Sequence, residues 1–188
     1  AEVSLRALAR CLLAVGGSDY APRLERLERL HAALAAGLER PVTLGGCRVV
    51  PQGAAAADRR WLMVREAGRA AEVALPPAGR LLWDGRFELT SAAGDGGGAA
   101  PGATLTVGPL GASGWRALVA ALERQGAGAR AARIPAAARA ALPALRDAAG
   151  LAAVPPLGYW RDAETAKRLK DCRFAPTNAL TGPAFTVV

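Results

Sequence analysis

The spacing of apolar residues changes at Pro41, and a chain with two such periods must combine helices with strands. Upstream, Leu5, Leu8, Leu12 and Val15 recur at intervals of three and four and form one stripe that stops at Gly16-Gly17. That is the pattern of a helix closed by a residue free to turn left-handed. A second stripe, Leu24, Leu27, His31, Leu34 and Leu38, runs to the neighbourhood of Gly37, with Ser18 or Asp19 available as a cap and Pro22 for the first turn. The two helices are expected to pair as an antiparallel hairpin. Arg23, Glu25, Arg26, Glu28 and Arg29 fall largely off the stripe and read as solubilising charge in neighbouring ion pairs.

Past Pro41, Val42-Thr43-Leu44, Cys47-Arg48-Val49-Val50 and Trp61-Leu62-Met63-Val64 are short β-type runs. Leu81 to Leu89 places two strand-like arms around Asp84-Gly85, a pair suited to a type I′ hairpin because both central positions require positive φ. These strands are expected to form one antiparallel sheet. Gly94-Asp95-Gly96-Gly97-Gly98, followed by Pro101, marks an internal boundary. Beyond it come a strand near Leu105-Thr106-Val107 and a helix capped by Ser113 with the stripe Trp115, Leu118, Val119 and Leu122. A short helix opened by Pro135 follows, then strands through Leu142–Leu145 and Leu151–Val154 around an Asp147-to-Gly150 turn. The fold class read from this order is α+β: a helical hairpin and mostly antiparallel sheet in residues 1–93, a Gly-rich linker at 94–103, and a small C-terminal α/β module at 104–188.

Alanine supplies 46 of the 188 residues, so the hydrophobic fraction overstates the large side chains available and the core is expected to be lean. Positive charge is uneven. Residues 1–100 carry 13 basic and 11 acidic side chains, residues 101–188 carry 11 and 5. A concentrated basic surface attracts polyanions such as nucleic acid, although Arg outnumbers Lys 22 to 2, which weakens arguments from Arg identity alone. Cys11, Cys47 and Cys172 are odd in number and far apart, as reduced thiols of a cytoplasmic protein would be. No apolar run approaches the ~18 residues of a membrane span, and the first residues given lack the n-region and h-region pattern of a signal peptide. The start at Ala1, without Met, is compatible with an excised fragment and with a natural stand-alone protein.

Local chemistry is excluded more readily than assigned. Gly16-Gly17-Ser18-Asp19 superficially resembles the Ser-Gly-Gly-x-Asp-Ser phosphate loop of ATP-pyrophosphatases, but Val15 and Tyr20 stand where serines are needed and the loop follows a helix stripe. No Gly-Lys-Ser/Thr and no Gly-x-Ser-x-Gly is present, and His31 is the single histidine, placed on the apolar side of a helix. Catalytic residues: none; metal ligands: none.

The segment Arg133-Ile134-Pro135, Arg139, Pro143, Asp147 and Val154-Pro155 resembles, in order and spacing, the C-terminal domain of tRNA(Ile)-lysidine synthetases, the older cell-cycle protein MesJ family. The Gly16-Gly17 hairpin, Leu44-Gly45-Gly46-Cys47 and Trp83-Asp84-Gly85-Arg86-Phe87 are similar to alphaproteobacterial members. The resemblance implies a parent ligase that uses ATP and Mg to join lysine to the wobble cytidine of an isoleucine tRNA. It places those cofactors in an N-terminal domain that is not in this sequence. It implies tRNA as partner, no membrane, a cytoplasmic location and a chain that does not catalyse alone, and it leaves a homodimer of the full-length enzyme open. The alternatives are a protein-interaction module with a basic face and a small independent hydrolase or transferase. Arg116, Arg124, Arg133 and Arg139 are the first expected tRNA contacts, Arg116 and Arg139 falling on basic positions of the family pattern; Lys167, Arg168, Lys170 and Arg173 form a second cluster in the tail. A purely structural use of Arg139 or Arg146, as partner of Asp147, remains open.

Overall fold

The structure, a computed structural model, describes residues 2–52, 60–92 and 104–180. It is an α+β protein with two compact units, one of residues 1–66 with 175–188 and one of residues 67–174.

In the first unit, helix α1 (Glu2–Gly16) and helix α2 (Leu24–Ala36) precede strands β1 (Val42–Leu44), β2 (Cys47–Gln52) and β3 (Arg60–Arg65), which form an antiparallel sheet in sequence order. Leu12, Leu27, Leu30, Cys47 and Val49 make its core, each fully buried Leu contributing about 2 kcal/mol. The Cys47 thiol, fully buried, donates to the Leu12 carbonyl at 3.3 Å and so ties β2 to α1. The junction depends on glycine: a Cβ at Gly16 would collide with the Gly45 carbonyl oxygen. Two expectations are corrected. Ser18 and Asp19 do not cap α2, whose N-cap is Arg23 without a side-chain bond, because the chain runs extended through Pro22 before the helix begins. Leu24 is 61% exposed and Leu30 takes its place on the buried face.

The second unit opens with β4 (Val73–Ala74), β5 (Gly79–Trp83) and β6 (Phe87–Ser91) and continues with β7 (Thr106–Pro109), α3 (Gly111–Arg124), α4 (Ala129–Ala132) and α5 (Ala136–Arg139). After these come β8 (Pro143–Asp147), β9 (Gly150–Val154), a 3-10 turn at Pro155–Leu157, β10 (Tyr159–Trp160), α6 (Ala163–Lys167) and β11 (Leu169–Phe174). They build an antiparallel sheet of order β10-β9-β8-β7-β4 and a smaller one of order β11-β6-β5. Alternation along β8 explains the layering: Leu145 enters the core shared by the two sheets, with Trp83, Leu89 and Val107, whereas Ala144 enters the core beneath α3, with Leu110, Leu118 and Leu122. Ala144, Ala152 and Ala153 are fully buried, so alanine is core material here as well as surface.

The division of the chain therefore differs from the sequence expectation. Residues 79–91 pack with the C-terminal segment, because β6 pairs with β11 and β4 with β7, and the β-runs between Val42 and Leu89, expected in one sheet, divide between two. The proposed linker at 94–103 lies outside the described residues. Ser113 lies inside α3, whose N-cap is Leu110. No helix among the described residues is long and apolar enough to cross a membrane.

Candidate nucleic-acid interface

Helix α3 buries Gly114, Leu118, Ala121 and Leu122, and at 100° per residue that leaves Arg116 and Arg124 on its outer side. Neither guanidinium has a hydrogen-bond or ion-pair partner among the described residues, and the same is true of Arg133, exposed at the C-cap of α4. Arg124 also stands in the last turn of α3, where a cation is favoured by the helix dipole.

Arg139 is held differently. Pro135, at the N-cap of α5, starts a single helical turn that brings Arg139 back over the preceding chain. Its Nε donates to the Ile134 carbonyl at 3.1 Å, and the guanidinium lies 4.6 Å from the centre of the Trp115 ring. Both contacts leave its two terminal nitrogens without a partner among the described residues. The spacing of Ile134-Pro135 and Arg139 is thereby explained: the short helix aims the arginine and the indole fixes it. Trp115, on the apolar stripe, packs partly buried against the core beneath α3 and in addition offers its ring as a platform for Arg139.

Arg146 is structural. Its Nη2 donates to the Pro109 and Leu110 carbonyls at 2.9 and 2.8 Å, closing the entry to α3, and Nη1 approaches Glu72 at 3.7 Å. Asp147 pairs with neither Arg146 nor Arg139. Arg161 grips it with two bonds, 2.9 and 2.6 Å, and the Ala149 N–H adds a third across the turn. That grip, chiefly the Arg161 hydrogen bonds, holds the Asp147 carboxyl below its ordinary range and raises the guanidinium in turn. Sequence inspection missed Arg161 because its partner lies 14 residues away across the β9–β10 pairing.

Two of the four cations of the tail cluster are paired with carboxylates. Lys167 pairs with Glu164 at 2.7 Å, and Arg173 pairs with Glu88 at 2.7 Å, with Asp171 at 4.0 Å. Arg168, partly buried at the C-cap of α6, is engaged too, and Lys170 alone of the four is exposed without a partner among the described residues. Burial, with Asp171 beside it, pushes the Cys172 thiol up to about 11, which keeps it protonated and unreactive near neutral pH. The described residues hold no group of three or more His, Cys, Asp or Glu able to bind a metal. Comparison with protein-family models, curated proteins and solved structures returned no match to this chain.

Proposed function

We propose that this chain is the tRNA-binding, substrate-selecting C-terminal part of a tRNA(Ile)-lysidine synthetase. The observation that carries the reading is the contrast between its two basic clusters. Among the described residues, Arg116, Arg124 and Arg133 are exposed and uncompensated, and Arg139 is pre-positioned on Trp115 with two nitrogens that have no partner there. Two of the four tail cations, Lys167 and Arg173, instead face carboxylates. Uncompensated guanidinium groups release condensed counterions from a phosphate backbone on binding, while paired ones must first give up their own partner. Arginine also matches phosphate geometry with two donors at once. The ordered motifs from Ile134-Pro135 to Val154-Pro155 add family support, since Pro135, Pro143 and Asp147 each open a helix, strand or turn that positions the arginine-bearing segment. ATP and Mg chemistry would reside in the parent enzyme's other domain; this chain would orient the RNA.

The test is retention of an isoleucine tRNA transcript on filters from low to moderate salt. Each phosphate contact contributes about −0.7 to −0.9 to the log–log slope. The Arg116→Gln, Arg124→Gln, Arg133→Gln triple variant should flatten the slope by about 2 units, with its melting temperature unchanged. Neutralising Lys167 and Arg173 should change it far less. An unaltered slope in the triple variant refutes the assignment.

A further inference from the structure

The first unit contains an open pocket of about 320 Å³ lined by Tyr20, Pro22, Arg23, Arg26, Leu44 and Gly45, within the size range of small-ligand sites. Its shape follows from the β1–β2 turn. Gly45 has φ +60, and a Cβ there would stand 3.0 Å from the Pro22 ring, so glycine lets the turn close against the segment that leads into α2. That segment is held at two points: the Ser18 hydroxyl donates to the Tyr20 carbonyl at 3.1 Å, and Asn178 Nδ2 donates to the Ser18 carbonyl at 3.0 Å. The backbone is thus fixed while the Tyr20 side chain stays 86% exposed.

Two features of the lining are costly unless they serve a ligand. Arg23 and Arg26 occupy the N-cap and third positions of α2, where hydroxyls and carboxylates are favoured and the helix dipole opposes positive charge. Both are exposed, and neither guanidinium has an ion-pair or hydrogen-bond partner among the described residues. Second, an aromatic ring of an amphipathic residue is left in solvent beside them, although the apolar walls Pro22 and Leu44 lie in the same pocket. Two uncompensated guanidinium groups, one exposed aromatic face and an apolar wall are the elements that recognise a phosphate, a base and a ribose edge. The pocket's open mouth suits a nucleotide that remains part of a strand.

We propose that this pocket binds one unpaired nucleotide of an RNA strand, with its phosphate at Arg23 and Arg26 and its base against Tyr20. The inference rests on the tRNA reading above and extends it to a second contact surface, on a unit from which that reading takes no residue. Acidic peptides would use the cations but have no need of the exposed ring.

The same filter assay, with the isoleucine tRNA transcript as probe, separates the two ideas. Arg23→Gln with Arg26→Gln should flatten the salt slope by about 1.4 units. Tyr20→Ala should weaken retention about tenfold at every salt concentration without altering the slope, and Tyr20→Phe should bind as the parent does. Ultraviolet cross-linking followed by peptide mapping should place an RNA adduct on the Tyr20 peptide and not in the Tyr20→Ala protein. All of these positions are exposed, and melting temperatures no lower than the parent's confirm that the variants fold. If the parent retains tRNA and the variants match it, the pocket inference fails and the tRNA reading stands. Loss of retention in Tyr20→Phe as well as Tyr20→Ala refutes base stacking. If the parent retains no tRNA even at low salt, the tRNA reading fails and the pocket inference fails with it.

Discussion

At the scale of single residues, the hairpin between β5 and β6 holds a buried ion pair. Asp84 and Gly85 have φ of 54° and 62°, and the Arg86 N–H closes the turn on the Trp83 carbonyl at 3.1 Å. The sequence pair Asp-Gly therefore announces the turn type. The register, however, pairs Trp83 with Phe87 and leaves Arg86 as an extra residue between the strands. Its side chain contacts Asp84 Oδ2 at 2.6 and 2.8 Å, both side chains only 6% exposed, and Nη2 reaches the Ala141 carbonyl at 3.4 Å. Removing one member strands the other charge in the interior. Arg86→Met or Asp84→Asn alone should each cost about 3 kcal/mol in urea denaturation, and the double variant should recover much of that loss. Additive losses would show that the two residues act separately. Nothing local marks Arg86 as buried, since its interior partners include a carbonyl 55 residues away.

At the scale of elements, α2 breaks a local rule at its start. An Arg at the N-cap offers the first-turn amides no side-chain acceptor, although the Arg26 N–H reaches the Arg23 carbonyl at 3.0 Å, and it adds a cation to the positive end of the helix. Arg23→Ser should therefore raise stability by about 1 kcal/mol, seen as a higher melting temperature, while weakening tRNA retention at low salt. Such opposed changes are what a position kept for binding produces. A variant that gains stability and loses no RNA affinity would leave the unfavourable cap without a function. The stripe spacing in α1 and α2 is legible from the sequence, but the buried face of α2 is centred on Leu27 and Leu30, because α1 and β2 decide where the interior lies. In α5, by contrast, four residues suffice: Pro135 sets the start, and one turn brings Arg139 to Trp115.

At the scale of the whole molecule, acid is the condition that should discriminate most. Asp147 is held below the ordinary aspartate range mainly by the Arg161 hydrogen bonds. Asp162, whose carboxylate accepts from the Thr165 N–H at the cap of α6, is lowered to about 2. Both carboxyls bind protons more weakly folded than unfolded, so their contribution is complete above the unfolded pKa and is lost as pH falls through the lower folded values. The urea midpoint should stay level from about pH 7 to pH 5 and fall between about pH 4 and pH 2. Protonation also increases the existing net charge of +8, which adds repulsion at the same low pH. The Arg161→Gln variant separates the two effects: it should lower stability at neutral pH by about 2 kcal/mol and make the acid decline shallower. A decline as steep as the parent's would assign it to general repulsion.

The sequence by itself determined the features that depend on neighbours within about one turn of chain. These are the helical periods of α1 and α3, the Asp84-Gly85 turn, the Pro135 start of α5, and the Asp147-to-Gly150 turn between β8 and β9. It also determined the excess of positive charge and the supply of alanine for a close-packed interior. Only the tertiary structure decided that β6 pairs with β11 and not with the strands before Glu66, that Arg161 instead of Arg146 holds Asp147, and that Arg139 rests on Trp115. It also decided that Lys167 and Arg173 face Glu164 and Glu88 while the α3 cations have no partner among the described residues. The reason is physical: backbone hydrogen-bonding groups are alike in every strand, and a charge takes whichever partner the fold brings near. Both choices are made by how the alanine-rich sheet faces pack, across separations at which local pattern carries no information.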